Sequence, residues 1–403
     1  MLESIIHSPF TIHHSQLYML NTRYQLTQMS IAGFRRLFFV DMEMRPLTVI
    51  IGANGVGKTS VLEVFSLLSD SAQGKLKNIL SQFGGIQDIL TYDKAETMQI
   101  KVSMEDPTEN PLCYSLTLNL KGMSYEIGLE TLTQENSASP LKYIDANRTD
   151  IRYYRPEDKQ MVRPTWNPSP FETSLFQIPK LSQVPEMVRQ QLADITYYSA
   201  YALNVGYHAP IRLPQKMQPS TQPGPHGEEL VACLFYLRET DRTRFEIIED
   251  TLAVAFPSFE RLDFPPVAAG TLAMTWKDKH FSKPLYMNQL SEGILRFLWL
   301  LTLLHGPQLS AITLIDEPEV SLHPQLLSIL TDAMNEASEH TQLIVATHSE
   351  RLIRFLEPAQ VLVVDQEDGL AQMKWADTLD LETWLAEYAL DELWRMGRLG
   401  GRI

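Results

Sequence analysis

The sequence predicts an α/β fold: a parallel sheet alternating with helices, a mixed β lobe, and a short irregular, partly helical insertion. Three observations carry this prediction. Apolar, β-branched runs recur at 47–51, 311–315, 343–346 and 361–364, with helical stretches between them, as in a parallel layer buried on both faces. Stretches 97–104, 112–120 and 123–132 alternate apolar and polar residues around Gly122 and read as antiparallel strands. From about 141 to 227 prolines crowd among scattered arginines and tyrosines, so only short regular elements are expected there.

Taken in order, residues 1–25 are expected to be a disordered arm or an over-long gene start. They contain His7, His13 and His14 but neither a basic start nor a continuous apolar stretch, so they are not a secretory signal. The first part of the core spans 26–140, opening with two or three strands over 26–51. A helix from about Lys58 to Leu68 follows, with Val61, Leu62, Phe65 and Leu68 at helical spacing. An inserted arm or helical lobe occupies 141–240, with Gln218 to Gly227 as a mobile loop and a helix near 228–237. The second part of the core, 241–403, holds a helix at 245–256, another at 294–305, and the later apolar strands. No heptad pattern is sustained before residue 285, so any arm is short.

Composition narrows the class. The 403 residues are 44% hydrophobic and 21% charged, ordinary for a globular protein, and no apolar run approaches the roughly 20 residues of a membrane span. Cys113 and Cys233 lie far apart without neighbouring ligand patterns, which fits a reducing cytoplasm and argues against a zinc module or a disulfide framework. A net charge of −15 argues against non-specific DNA binding by the whole surface, though not against a local basic groove.

Residues 52–59, Gly-Ala-Asn-Gly-Val-Gly-Lys-Thr, satisfy G-x-x-x-x-G-K-[ST] between an apolar strand and an amphipathic helix. The glycines let the backbone curl so that N–H groups face phosphate oxygens, and the helix start adds its dipole. Asn54, Gly55, Gly57, Lys58, Thr59 and Ser60 are therefore the candidate nucleotide contacts. ATP and Mg²⁺ are the implied cofactors, with Lys58 on the β/γ-phosphates and Thr59 on the metal. The run Ala311–Ile315 ends in Asp316-Glu317: Asp316 is the second candidate Mg²⁺ ligand and Glu317 the candidate general base for water. Acidic loop openers after a strand are the competing explanation.

Leu290-Ser291-Glu292-Gly293 precedes an apolar helix shortly before Asp316 and resembles the LSGGQ-type signature of ABC ATPases. The order of motifs, with a long β-containing stretch between the first two, also resembles that family. The resemblance implies that Ser291 and Gly293 bind the γ-phosphate held by a second subunit, making ATP the glue of a homodimer. Ser291 is equally an ordinary helix cap. Glu292 replaces the first glycine of the common form and Ile294 its glutamine. Ser321-Leu322-His323-Pro324 occupies the place of the loop by which ABC subunits sense each other. His348, at the end of 342–347, resembles the switch histidine, although a lone histidine there is often structural. No Q-loop glutamine is identified.

Within the superfamily, Met29–Leu37 and Asp316-Glu317-Pro318-Glu319 followed by Ser321–Pro324 resemble compact ATPases of the SMC/RecF/OLD-like branch. The stretch past Val364 is too short for the TOPRIM nuclease of OLD-type proteins, and Asp365, Glu367 and Asp368 read as a solvated loop. The resemblance implies either the sensor ATPase of an anti-phage defence system with a separate protein effector, or a repair or maintenance ATPase that binds DNA directly. For DNA, the sequence offers Lys142, Arg148, Arg152, Arg155, Lys159 and Arg163 interleaved with Tyr143, Tyr153 and Tyr154. Four acids in the same stretch leave only a small positive excess.

Overall fold

The computed structural model describes residues 24–400, except 106–109, 136–138, 149, 181–182 and 386. The arm expected over 1–25 lies outside the described residues apart from Tyr24 and Gln25.

At the centre is a six-stranded sheet in the order Ile195–Ser199, Ile312–Asp316, Gln342–Ala346, Leu47–Ile51, Val361–Glu367 and Leu370–Trp375. The first five strands are parallel and the last turns back antiparallel. Because side chains alternate along a strand, each central strand feeds two cores. Leu47, Val49, Ile51, Ile315, Leu343, Val345, Val361 and Val363 face one core, with the helices Glu292–Leu304 and Leu326–Ser338. Ile50, Ile312, Leu314, Ile344, Ala346, Leu362 and Val364 face the other, with the helix Lys58–Ala72 and the antiparallel lobe. These strands are apolar on both faces for that reason.

The lobe is an eight-stranded antiparallel sheet. The strands Gln25–Phe34, Leu37–Glu43, Thr97–Glu105, Leu112–Lys121 and Ser124–Gln134 follow the sequence expectation, with Gly122 at φ 62° in the tight turn before Ser124. The sheet then continues through Leu141–Asn147, Asp150–Arg155 and Gln160–Val162, residues expected in an irregular arm. Their alternation is masked by charged residues, because the faces turned to solvent can carry arginine and aspartate. Across this region four cations are paired at short range: Lys142–Asp145 at 2.8 Å, Arg152–Asp150 at 2.7 Å, Arg155–Asp158 at 2.8 Å and Arg163–Asp150 at 3.0 Å. Arg148 lies 3.4 Å from Glu126.

The stretch Gln218–Gly227, expected to be mobile, has no regular structure but is fastened to the core. Trp299 Nε1 donates to the Gly224 carbonyl at 2.9 Å, Ser220 Oγ donates to the Gln222 carbonyl, and Gln222 Nε2 donates to the Gln308 carbonyl. No helix among the described residues is long and apolar enough to cross a membrane. The longest helix among the described residues, Lys58–Ala72, spans 15 residues, in keeping with the absence of heptads. The C-terminal helix Leu390–Arg395 packs Leu393 and Trp394 into the first core.

Candidate functional site

The candidate groups converge because three adjacent parallel strands end side by side. In register, Ile50 lies opposite Ala346 and Ala346 opposite Asp316, so the chain leaving each strand emerges at the same edge of the sheet. The strand carrying His348 stands between those carrying the phosphate loop and Asp316-Glu317. Gly52 (φ 154°), Gly55 (φ 77°) and Gly57 (φ 124°) bend the loop into the helix Lys58–Ala72. A Cβ on Gly52 would lie 2.3 Å from the Val364 carbonyl oxygen, so that position has no room for a side chain. No side chain caps the helix start at Gly57. Asn54, Gly55 and Thr59 are exposed, whereas Lys58 and Ser60 are buried in the first turn.

Lys58 Nζ donates to the carbonyls of Gly52 at 2.8 Å and Ala53 at 2.9 Å, and stands 3.0 Å from His348 Nδ1. An ammonium can only donate, so Nδ1 accepts and the ring proton resides on Nε2. Nε2 lies 3.2 Å from Glu317 Oε1, and the His348 backbone N–H donates to Glu317 Oε2 at 3.4 Å. Lys58, His348 and Glu317 thus form one continuous line. Burial holds Lys58 down to about 8 despite the nearby Glu317, Asp316 and Glu319. Burial, together with the Glu319 and Asp316 carboxylates, pushes Glu317 up to about 8. Burial and Lys58 hold His348 below its ordinary value, which favours the neutral ring. Glu317 adopts φ 54°, a left-handed conformation that costs a non-glycine residue about 1–2 kcal/mol, and its N–H is tied to the Ala346 carbonyl at 2.8 Å.

Asp316 is buried and raised by that burial, while Tyr197 and Lys58 counteract the shift. Tyr197 Oη donates to Asp316 Oδ2 at 2.9 Å. Sequence reasoning missed this tyrosine because it placed no core strand within the proline-rich segment. The signal was the β-branched and aromatic run Ile-Thr-Tyr-Tyr-Ser, which pairs in parallel with Ile312–Asp316. Glu319 and Thr347 were missed as well: Thr347 Oγ1 donates to Glu319 Oε1 and fastens the loop after Glu317 to the strand end that carries His348.

Ser291 caps the helix Glu292–Leu304, its Oγ accepting from the Ile294 N–H at 3.3 Å. Glu292 turns sideways onto Ser321 and Arg296. A Cβ on Gly293 would stand 2.8 Å from the Ser321 carbonyl oxygen, so this residue must be glycine for the two loops to touch. Arg212, also unforeseen, bonds the carbonyls of Val205 (2.6 Å), Met287 (3.2 Å) and Leu290 (2.8 Å), shaping the approach to Ser291.

Comparison with known proteins places this geometry. The fold is similar to an SMC head bound to the C-winged helix domain of ScpA, with a TM-score of 0.55 and 12% identity over 87% of this chain and 97% of that chain. It is also similar to an SMC head with an extended coiled coil, bound to the C-terminal domain of ScpA, derived from Pyrococcus furiosus. There the TM-score is 0.52 and the identity 12%, over 90% of this chain and 98% of that chain. An OLD nuclease of Thermus scotoductus (strain ATCC 700910 / SA-01) is 27% identical over 113 residues, covering 27% of this chain and 21% of that protein. The match therefore spans about a fifth of that relative's length. The profile of a family described as "AAA domain, putative AbiEii toxin, Type IV TA system" matches residues 47–354, from the strand before the phosphate loop to just past His348. The chain belongs to that family of AAA domains, and its fold is the one seen in SMC heads.

Proposed function

We propose that this chain binds and hydrolyses ATP as a nucleotide-sandwiched homodimer, serving as the sensor or regulatory ATPase of an anti-phage defence system with a separate protein effector. The observation that carries the enzymatic reading is the line Lys58–His348–Glu317 beside an uncapped helix start. The residues present fit the nucleotide: a Cβ on Gly55 would meet nothing within 4 Å, so the loop is open where backbone N–H groups would face phosphates. They also fit a hard divalent cation, since the exposed Thr59 hydroxyl and the Asp316 carboxylate supply oxygen only. When bound, Mg²⁺ supplies neutralisation of charge on the phosphate oxygens.

Within the chain, Lys58 holds and orients the terminal phosphates by charge-assisted hydrogen bonds. Glu317 accepts a proton from water as the water oxygen bonds to the γ-phosphorus and the bond to the ADP oxygen breaks. The Nε2 hydrogen of His348 fixes the orientation of Glu317, and the buried setting of Asp316 and Thr347 limits access by other water. Ser291 and Gly293, on a separate helix start, serve the γ-phosphate of the second protomer.

The effector reading draws support from the family description, which names a toxin–antitoxin system, and from five of the six basic residues of 142–163 being paired with nearby acids. The test of the enzymatic reading pairs two variants. Lys58→Ala loses ATP binding; Glu317→Gln binds ATP, does not hydrolyse it, and accumulates as a nucleotide-dependent dimer in gel filtration. A Glu317→Gln protein that stays monomeric at saturating ATP and Mg²⁺ refutes the sandwich. Co-purification with the product of a neighbouring gene supports the effector reading, whereas salt-dependent DNA binding by the chain alone points to repair or maintenance.

A further inference from the structure

Glu292 stands where the resembled signature has a glycine, at the first residue of a helix whose start must receive an anion if the sandwich reading holds. An uncommitted carboxylate there would repel phosphate. One oxygen of this carboxylate is held by two donors. Oε1 accepts from Ser321 Oγ at 2.7 Å and from Arg296 Nε at 2.8 Å. Arg296, with only 9% of its side chain exposed, donates onward to the Ala200 carbonyl, and the Ala200 N–H donates to the Asp316 carbonyl at 3.0 Å. A continuous set of bonds therefore runs from the signature to the end of the strand that bears Asp316.

The partner loop needs this hold. Ser321 adopts φ 63°, a conformation that ordinary residues occupy only when their surroundings impose it. The close approach of Gly293 to the Ser321 carbonyl removes any space between the loops. Ser321 and Arg296 keep Glu292 below its ordinary value, consistent with an ionised clamp.

We propose that Glu292 is a positioning residue that locks the signature to the loop after Glu317 within one protomer. Ser321 and Arg296 draw the carboxylate away from the anion-facing helix start, and the carboxylate in turn fixes Ser321 and the loop carrying Glu319. The two surfaces that a second protomer would meet are thus presented as one rigid unit. The inference rests on the sandwich reading above, and it makes the departure from the common signature a functional part of this chain.

The test uses the full chain with Glu292→Ala, Ser321→Ala, the double variant and Glu292→Gln. Nucleotide affinity is measured at protein concentrations that keep the chain monomeric; dimerisation and turnover are measured with MgATP. Glu292→Ala is expected to leave monomer affinity unchanged and to lower dimerisation and kcat by at least about tenfold, the scale of the lost Ser321 bond to a charged group alone. Ser321→Ala does the same, and the double variant is no worse than the more impaired single, because both remove one coupling. Glu292→Gln, whose Oε1 accepts both bonds, restores most of the loss. Dimerisation and kcat at or above wild type in Glu292→Ala, or effects of the two single changes that add, overturn the proposal. Should Glu292→Ala not fold, unimpaired dimerisation of Ser321→Ala overturns it alone. A wild-type chain that neither dimerises nor turns over ATP instead defeats the sandwich reading, so the two failures are distinct.

Discussion

Tyr197→Phe removes one oxygen and one hydrogen bond at the edge of the candidate metal site. Asp316 is buried, and its Oδ2 is held by the Tyr197 hydroxyl at 2.9 Å, so Oδ1 is the oxygen that would be left to hold a cation. Deleting an outer partner that orients a metal-ligating group costs about 10- to 100-fold in metal affinity. The lower end applies here, because nucleotide phosphates would share the cation and Tyr197 is only half-buried, so water can replace its hydroxyl. A roughly tenfold rise in the Mg²⁺ midpoint is therefore expected. There is a pH signature too. Tyr197 opposes the burial that raises Asp316, so its loss raises Asp316 further and strengthens proton competition with Mg²⁺. The shift should be larger at pH 6 than at pH 8. The assay is binding of a fluorescent ATP analogue titrated with Mg²⁺, with Mg²⁺-free affinity as the control. A midpoint within about twofold of wild type at both pH values, well short of that loss, refutes the assignment of Tyr197 to Asp316 orientation.

Two further outcomes test the electrostatics and the lobe. With Lys58 held at about 8, Mg²⁺-free nucleotide binding at pH 8 should draw a proton onto the lysine, because bound phosphate favours the charged form. At pH 6 the lysine is already protonated and its share of the uptake vanishes; calorimetry in buffers of different ionisation enthalpy reads this, and pH-independent uptake or uptake retained in Lys58→Ala contradicts it. In the lobe, the fully buried Glu130 accepts from Tyr114 Oη at 3.0 Å and from the N–H groups of Ser174 (2.5 Å) and Leu175 (2.8 Å). Glu130→Ala strands three buried donors and should cost about 3–5 kcal/mol in urea unfolding with unchanged slope, whereas a loss under about 1 kcal/mol denies the carboxylate a structural role.

What was legible in the sequence was whatever depends on neighbours along the chain. The loop Gly52–Thr59 needs a strand before it and a helix after it, and both are local patterns. The runs 311–315, 343–346 and 361–364 are apolar on both faces, so their burial in a parallel sheet shows in composition alone. Strands 141–147 and 150–155 were obscured because one face meets solvent and carries charge. Strand 195–199 was obscured because proline-rich text on both sides hid a short β-branched run whose partner, Ile312–Asp316, lies more than a hundred residues away. The direction of Glu292 was equally illegible: carboxylates point where partners are, and its partners include Ser321 on another loop.

The sequence by itself determined the groups on offer: a loop of the G-x-x-x-x-G-K-[ST] pattern, an acidic pair, a histidine at a strand end and a serine at a helix start. Only the tertiary structure decided how they combine. It placed the His348 strand between the other two, so that one imidazole touches both Lys58 and Glu317. It brought Tyr197 to Asp316, and it turned Glu292 onto Arg296 and Ser321. Local backbone preference and hydrophobic period act over a few residues, whereas strand order and side-chain direction follow from which distant surfaces bury one another.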